Sequence, residues 1–331
     1  MRRGWGLGVW DWRLRAGDWR LGSRAVVMAI ASMIAATIAQ SQTDATAKLP
    51  GVARETDTST LIATDRLKTL PDAQRHMWEA YLERSRVAQR VDQALLLREL
   101  QALGRGVMMR AALLSKSFEY GGDETDAMMA SESAHQLVLS MLSYQTPSGG
   151  WSKHVDFTRG VRQPGQSFFS ENEKWQYIAT IGNDATTPEL RFLMHRERVR
   201  PDATVRASVA RGVAYLLAAQ FSNGCWPQVW PLQGSYHDAA TFNDDAIVEV
   251  LQLLDAVARG SVAYVSDSQR KQALGAVVRG IDCMLHAACA GAGRGQVDGV
   301  GTAARSDHAC GDQCAQLRAD VAHQQGTRRG L

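Results

Sequence analysis

Three polar stretches in the middle of the sequence concentrate residue types that bind sugars and acids. They cover residues 149–156, 180–187 and 223–245, and Trp or Tyr side chains stand beside Lys, Gln, Asn and Asp in the first and the third. Aromatic rings stack on the faces of pyranose sugars, while amides and charged groups hold hydroxyls and carboxylates. The three stretches therefore predict a groove that binds a sugar polymer.

The third stretch supplies most of the candidate binding residues. We assign substrate contacts there to Trp226, Gln228, Tyr236 and Asn243. Trp175 and Trp230 suit a core position as well as a ligand contact, because tryptophan is usually largely buried. His154 and His237 suit loop hydrogen bonds better than catalysis.

A run of one amide and two acids, Asn243, Asp244 and Asp245, precedes an amphipathic segment. One of them suffices to cap a helix, since Asp and Asn are favoured at the cap and in the first turn. Three exceed that need, and carboxylate and amide oxygens are the ligands that Ca²⁺ prefers. The run leaves two interpretations open, a helix cap and a cation site.

Other chemistries lack their sequence signatures. We find no His/Cys spacing for zinc, no nucleophile elbow and no phosphate-binding loop. The 331 residues, 45% hydrophobic and 21% charged, exclude a disordered or collagen-like chain. The net charge of +3 comes from the ends, since residues 1–39 carry +4 and 289–331 carry +1, while the body carries −2. Basic charge outside the body does not indicate nucleic-acid binding.

The elements that must position these stretches are helical. Apolar residues recur at helical spacing over 71–103, 205–220, 245–258 and 266–286. No period-two strand pattern is sustained along the chain. We predict an all-α domain over residues 40–288.

Internal repetition narrows the architecture. The run Q-T-P-S-G-G-W (145–151) returns in outline as Q-F-S-N-G-C-W (220–226), and R-G-V-A-Y-L-L (211–217) returns as R-G-I-D-C-M-L (279–285). Each Gln-to-Trp run is typical of a helix end, a turn with a glycine suited to a left-handed conformation, and an aromatic residue. Helix pairs with equivalent turns at one rim are typical of an (α/α) toroid, in which the loops form a groove. Chance similarity of short segments is the alternative.

The N-terminal region has the pattern of an export signal behind an irregular extension. Residues 1–24 hold four of the nine Trp without a helical or strand period, so we expect translated upstream DNA there rather than a genuine N-terminal region. Residues 25–39 form an apolar run that ends in small residues, typical of a signal peptide and short for a membrane span. We expect a secreted or periplasmic protein with no stable membrane insertion after cleavage. Because the body holds only Cys225 and Cys283, we expect no disulfide framework.

Four segments together resemble the family 10 pectate lyases, which have an (α/α) toroid fold. They are Q-T-P-S-G-G-W-S-K (145–153), T-I-G-N-D-A-T-T (180–187), G-V-A-Y-L-L-A-A-Q-F-S-N-G-C-W-P-Q (212–228) and Y-H-D-A-A-T-F-N-D-D-A-I-V (236–248). The Gln-turn-Gly-x-Trp loops alone are also found in terpenoid cyclases and prenyltransferases, which are toroids too. A terpenoid enzyme stays an alternative, although the acid-rich motif or zinc site that it needs is not evident.

The resemblance implies Ca²⁺-assisted β-elimination on polygalacturonate (pectate), and we expect a monomer. In that reaction a cation on the uronate carboxylate acidifies the C5 proton, a base removes the proton, and the C4 oxygen departs. Asp244 matches a family acid at the calcium site, and Lys153 and Asn183 match polar positions at the groove. Gly182 departs from the family motif T-I-D-N, which has a carboxylate at that position.

The C-terminal stretch is a second departure from the family. The family continues with W-x-x-Q-H-D and then A-R-x-Y-E, whose arginine is the base, and residues 289–331 contain neither pattern. Shifting the codons of this stretch by one base permits W-G-Q-Q-H-D followed by A-R-N-Y-E. We therefore expect an out-of-frame tail that begins near 287–293, with a genuine disordered tail as the alternative; the nucleotide sequence decides between them. As written, the chain has no assigned catalytic residue, so a non-catalytic binder of acidic polysaccharide is the alternative function.

Overall fold

The computed structural model describes residues 67–112, 118–168, 178–234 and 236–292. For Tyr236, Asp244 and 289–292 it describes the backbone only. The chain divides into two units between residues 49 and 50, and all described residues belong to the second unit. The predictions made for 1–24, for 25–39 and for the tail beyond residue 292 lie outside the described residues.

Helices make up most of the described chain. In chain order they are α1 (Asp72–Ala102), α2 (Asp126–Ala130), α3 (Glu132–Tyr144), α4 (Thr187–Val199), α5 (Ala203–Ala219), α6 (Ala246–Ala258) and α7 (Asp267–Ala292). Two short strands, β1 (Ala179–Thr180) and β2 (Val229–Trp230), pair antiparallel with Ala179 opposite Trp230 and Thr180 opposite Val229. The predicted all-α class is confirmed, and the four predicted helical runs fall on α1, α5, α6 and α7.

Helix α5 shows how the sequence forms these elements. Asp202 caps its start, since the carboxylate accepts hydrogen bonds from the backbone N–H groups of Thr204 at 2.7 Å and Val205 at 3.2 Å. The buried stripe recurs every three or four residues and comprises Val205, Val209, Val213 and Leu216. Helical spacing of apolar side chains therefore turns one face of α5 toward the core.

The first of the two repeated turns is fastened to a later helix. Gln145 follows α3, and its Nε2 donates to the carbonyl of Gly149 at 2.8 Å and to that of Ser208, on α5, at 2.9 Å. The Oε1 of the same side chain accepts from Arg211, one turn further along α5. One glutamine side chain thus closes its own turn and binds that turn to α5.

The second repeated turn has the same construction. Gln220 follows α5, and its Nε2 donates to the carbonyl of Gly224 at 2.9 Å and to that of Ala276, on α7, at 2.8 Å. Arg279 of α7 donates to its Oε1 at 2.6 Å. The internal repetition predicted from the sequence is therefore confirmed as a repeated helix–turn–helix contact, while closure of a complete toroid stays a prediction.

Both turns need glycine at their tightest point. Gly149 has φ 109° and Gly224 has φ 93°, backbone angles that residues other than glycine rarely adopt. A Cβ on Gly149 would lie 2.6 Å from the carbonyl oxygen of Arg211, and a Cβ on Gly224 would lie 2.1 Å from that of Arg279. The glycines allow each turn to approach the backbone of the next helix in the series.

A disulfide joins the second turn to α7. Cys225 and Cys283 are bonded, with their Cα atoms 5.5 Å apart, and both are buried. The expectation of no disulfide framework is wrong for this pair. The repeat explains the pairing, because it lays the turn after α5 directly against α7, at a Cα distance that a disulfide spans.

Replacing Cys225 and Cys283 together by serine is expected to lower the free energy of unfolding by roughly 4 kcal/mol. The bond closes a loop of 58 residues, and cross-linking a loop of that size restricts the unfolded chain by about this amount. Urea unfolding followed by circular dichroism measures the loss, with the reduced wild type as the matched control. An unchanged urea midpoint in both proteins would contradict the prediction.

Helix α1 holds two of the predicted stretches from one side. Asp92 accepts hydrogen bonds from the backbone N–H and the hydroxyl of Ser148, both at 2.7 Å. Seven residues earlier, the Ser85 hydroxyl accepts from the N–H of Leu232 at 2.8 Å. One long helix therefore fixes the turn before the first stretch and the middle of the third.

No helix in the described ranges combines the length and the apolar character needed to cross a membrane.

Candidate functional site

Backbone hydrogen bonds join the three polar stretches into one site. The pairing of β1 with β2 links the second stretch to the third, and the N–H of Ile181 donates to the carbonyl of Gln228 at 3.0 Å. On the other side, the N–H of Thr180 donates to the carbonyl of Trp151 at 2.9 Å, which brings in the first stretch. The prediction that the three stretches lie together is confirmed.

The loop between β1 and α4 has an unusual backbone. Asn183, Asp184 and Thr186 all have positive φ angles, of 55°, 51° and 69°. Non-glycine residues adopt such angles at a cost of about 1–3 kcal/mol each, and they cluster at functional sites. Thr186 is held in place by Trp151, whose backbone N–H donates to the threonine hydroxyl at 2.9 Å. The loop that contains Asn183 is therefore fixed by contacts with the first stretch.

Gly182 and Gln228 share one space in this loop. A Cβ on Gly182 would lie 2.7 Å from Cγ and 2.8 Å from Nε2 of Gln228. The Nε2 atom of Gln228 donates to Oδ1 of Asn183 at 3.4 Å. The structure thus brings the predicted contacts Asn183 and Gln228 together, and it places the Gln228 amide where a side chain at position 182 would begin.

The charge of Lys153 acts on the buried His237. His237 is buried, and its carbonyl accepts a hydrogen bond from the N–H of Gln228 at 2.9 Å. Burial lowers the pKa of His237, and the positive charge of Lys153 lowers that pKa further. The neutral imidazole is therefore favoured beside the Lys153 ammonium group. Sequence reasoning assigned His237 only a loop hydrogen bond and had no signal for its proximity to Lys153.

Replacing Lys153 by methionine is expected to raise the pKa of His237 toward its ordinary value. The charge of Lys153 disfavours protonation of the nearby imidazole, so its removal favours the imidazolium form. An NMR titration of the His237 ring measures the change, and Lys271→Met, on α7, is the matched control. A His237 pKa that stays the same in Lys153→Met would show that the two side chains are not neighbours.

Asp245, the last residue of the run before α6, does not cap that helix through its side chain. Residues Asn243–Asp245 form a short 3₁₀ helix. Asp245 occupies the N-cap position of α6 with φ 53°, yet its side chain makes no capping hydrogen bond. Asn243 is exposed, while the side chains of Asp244 and Tyr236 are not among those described. The binding roles predicted for Asn243, Asp244 and Tyr236 stay predictions.

The described side chains do not by themselves form a calcium site. No group of three or more His, Cys, Asp or Glu side chains converges within the described ranges. Asp244, the predicted ligand, lies outside this comparison because only its backbone is described. We therefore assign no reaction step to a cation.

Trp226 belongs to the core and not to the ligand-binding surface. It has no exposed surface, and its indole N–H donates to the carbonyl of Leu216 at 2.8 Å. Trp151, its counterpart in the first turn, is equally buried and donates to the carbonyl of Met141 at 2.8 Å. An enclosed ring cannot stack on a sugar, so the predicted substrate contact of Trp226 is wrong. Trp230 is also a core residue, with 4% of its surface exposed.

Glu189 is a buried acid that sequence reasoning missed. It lies in the first turn of α4 with 1% of its surface exposed, and its Oε2 has no hydrogen-bond partner among the described residues. The pKa of Glu189 is raised to about 8, chiefly by burial and also by the nearby charge of Asp184, against hydrogen bonds from the backbone of Glu189 itself and of Thr186. One sequence signal could have pointed to Glu189: it follows Thr186 by three residues, which is the spacing of a capping box at the start of a helix.

Comparison with known families identifies the segment that contains this site. Residues 145–305 match a family described as pectic acid lyase, and all three polar stretches fall within that range. The matched range ends inside the stretch that we expect to be out of frame, so the frame hypothesis stays a prediction. A search of curated proteins found no significant match.

Two solved structures are similar to part of the chain. One is a family 10 polysaccharide lyase from Cellvibrio cellulosa, with 32% identity over 48% of this chain and 47% of that chain and a TM-score of 0.41. The other is a mutant of a family 10 polysaccharide lyase from the same organism in complex with trigalacturonic acid, with 31% identity over 49% of each chain and a TM-score of 0.41. This chain thus spans about half the length of these lyases. Residues 145–305 are thus similar to the pectic acid lyase family.

Proposed function

We propose that this protein binds polygalacturonate at the joined polar stretches, and that its domain is built to cleave the polymer by β-elimination. The observation that supports this most is that the family match covers the same three loops that the β1–β2 pairing and the Thr180–Trp151 hydrogen bond hold together. The proposed contacts are Lys153, Asn183 and Gln228, with Tyr236 and Asn243 as further candidates.

The proposed chemistry depends on the acidity of one carbon–hydrogen bond. A base removes the C5 proton of a galacturonate unit, the electron pair forms a C4–C5 double bond, and the glycosidic bond to the C4 oxygen breaks. Positive charge and hydrogen-bond donors near the carboxylate stabilise the negative charge that develops. Lys153 supplies the positive charge and the Asn183 and Gln228 amides supply the donors. We assign no base, because the A-R-x-Y-E pattern that contains the arginine implied by the resemblance is absent from residues 289–331.

Calcium belongs to the proposal through the family resemblance. When bound to a uronate carboxylate, Ca²⁺ lowers the pKa of the C5 proton. Asp244 and the neighbouring Asn243 would hold the ion, since hard cations take carboxylate and amide oxygens.

A second candidate function is non-catalytic binding of acidic polysaccharide. Two observations favour it: Gly182 stands where the family motif has an acid, and the A-R-x-Y-E pattern is missing from residues 289–331. Restoring the acid by Gly182→Asp requires the Gln228 side chain to move, because a Cβ at position 182 overlaps it. The loops that bind the polymer need neither feature.

The decisive experiment compares the chain as written with a frame-corrected chain that also carries Gly182→Asp. The rise in ultraviolet absorbance from the unsaturated uronide is followed on polygalacturonate, with added Ca²⁺ and with a chelator. We expect Ca²⁺-dependent product from the corrected chain, and binding without product from the chain as written. Absence of both activity and polygalacturonate binding in the corrected chain would overturn the assignment.

The disulfide supports the proposed location. Disulfides form and persist in secreted and periplasmic proteins and are rare in reducing compartments. The Cys225–Cys283 bond therefore agrees with export of the protein to an oxidising space. Mass spectrometry of protein recovered from the periplasm or the culture medium, alkylated before reduction, tests both the location and the bond.

A further inference from the structure

We infer that Gln228 recognises the carboxylate of a bound galacturonate unit, and that the absent side chain at position 182 sets the position of its amide. The inference rests on the proposed function, since it assumes that the joined stretches bind an acidic sugar. Beyond that function, the inference assigns selection of the galacturonate carboxylate to Gln228 and gives the structural reason for the position of its amide.

The backbone of Gln228 is fixed on both sides. Its N–H donates to the carbonyl of His237 at 2.9 Å, and its carbonyl accepts from the N–H of Ile181 at 3.0 Å and from the hydroxyl of Thr180 at 2.6 Å. These bonds hold the Cα atom between the second and third stretches. Only the side chain can respond to a change in its surroundings.

Position 182 has a backbone that accepts a side chain. Gly182 is not among the described glycines with positive φ. A Cβ there would nevertheless lie 2.7 Å from Cγ, 2.8 Å from Nε2 and 3.2 Å from Cδ of Gln228. The conflict is therefore with one flexible side chain and not with the backbone. Any larger residue at position 182 must displace the Gln228 amide.

The amide in this position is suited to an acid group. The Nε2 atom of Gln228 donates to Oδ1 of Asn183 at a long 3.4 Å, and Gln228 is half-buried. Lys153 lies close enough to influence the charge of His237, whose backbone binds Gln228. Amide N–H groups and an ammonium group in a partly desolvated site match a carboxylate. Because the backbone of Gln228 is fixed before binding, only its side chain has to be ordered on contact.

A double-mutant cycle tests the coupling of positions 182 and 228. We compare wild type, Gly182→Ala, Gln228→Ala and the double variant by calorimetric titration with trigalacturonate. Each single change is expected to weaken binding about tenfold, the loss of one hydrogen bond to a charged group. The double variant should bind no more weakly than Gln228→Ala, because the alanine at 182 has no amide left to displace. Additive losses would overturn the inference.

Three further measurements separate the possible failures. Gln228→Glu should bind trigalacturonate more weakly than Gln228→Ala, since it opposes one carboxylate with another. Galactotriose, the neutral counterpart, should lose no affinity in Gln228→Ala; an equal loss for both sugars would show that the amide does not select the acid. Gln136→Ala, an exposed glutamine on α3, controls for the substitution, and thermal unfolding controls for folding. If wild type binds neither sugar, the proposed function fails together with the inference.

Discussion

Trp226→Ala is expected to destabilise the domain by about 3–5 kcal/mol, the usual loss when a fully buried large aromatic is truncated. The ring has no exposed surface, and its N–H satisfies the carbonyl of Leu216. It also packs against Gly280 of α7, where a Cβ would lie 2.8 Å from the indole. Urea unfolding followed by circular dichroism measures the loss.

Two comparisons make the Trp226 experiment specific. Trp226→Phe keeps most of the aromatic ring and loses the hydrogen bond. We therefore expect it to lower the free energy of unfolding by less than half as much as Trp226→Ala does. Trp151→Ala removes the counterpart in the first turn and should destabilise to a similar extent. If Trp226→Ala kept full stability and lost only trigalacturonate binding, the ring would contact the ligand, against the structure.

Asp92→Asn is expected to make the protein less sensitive to rising pH. Burial raises the pKa of Asp92 from 3.8 to about 8, although hydrogen bonds from Ser148 act in the opposite direction. Between these pH values the unfolded chain releases the proton of Asp92 and the folded chain keeps it. The free energy of unfolding therefore falls as pH rises from about 4 to about 8, by up to about 1.4 kcal/mol per unit. Asparagine removes this contribution and can still bond to Ser148.

Urea unfolding at pH 5 and at pH 8 measures the effect of Asp92→Asn. The variant should lose several kcal/mol less than wild type between the two values, and Glu189 should account for part of the remaining loss because its pKa is raised in the same direction. Asp72→Asn, at the exposed start of the same helix, is the matched control. Equal pH dependence of wild type and Asp92→Asn would contradict a buried, protonated Asp92.

Local patterns in the sequence predicted the elements and the repeat. Helical spacing located α5 and α6 to within two residues at each end, because burial of one face decides where a helix forms. The Gln–turn–Gly run also predicted two equivalent turns, since Gly149 and Gly224 meet the same steric need. These predictions succeeded because helical spacing and the positive φ of the turn glycines are features of the local backbone.

Contacts between distant residues were beyond the same reasoning. Trp226 stands beside amides and a proline in the sequence, which resembles a sugar platform, yet the turn folds its ring back onto α5. The proximity of Lys153 to His237 and the overlap of Gly182 with Gln228 depend on how three loops meet. The Cys225–Cys283 bond likewise depends on how the second turn lies against α7. A single sequence carries no record of such pairings.

The glutamine contacts at the two turns have a consequence for how the domain responds to damage. Gln145 links its turn to α5 and Gln220 links the next turn to α7, so each unit depends directly on the one that follows it. In such a linear array, stability is a sum of units and nearest-neighbour interfaces. Gln220 lies nine residues after Arg211, and the residue nine after Arg279 is Ala288, so the equivalent glutamine contact cannot form at that position. A change in α7 therefore acts directly on the second turn, which contacts Ala276 and Arg279, while the contact of the first turn with α5 is a separate interface.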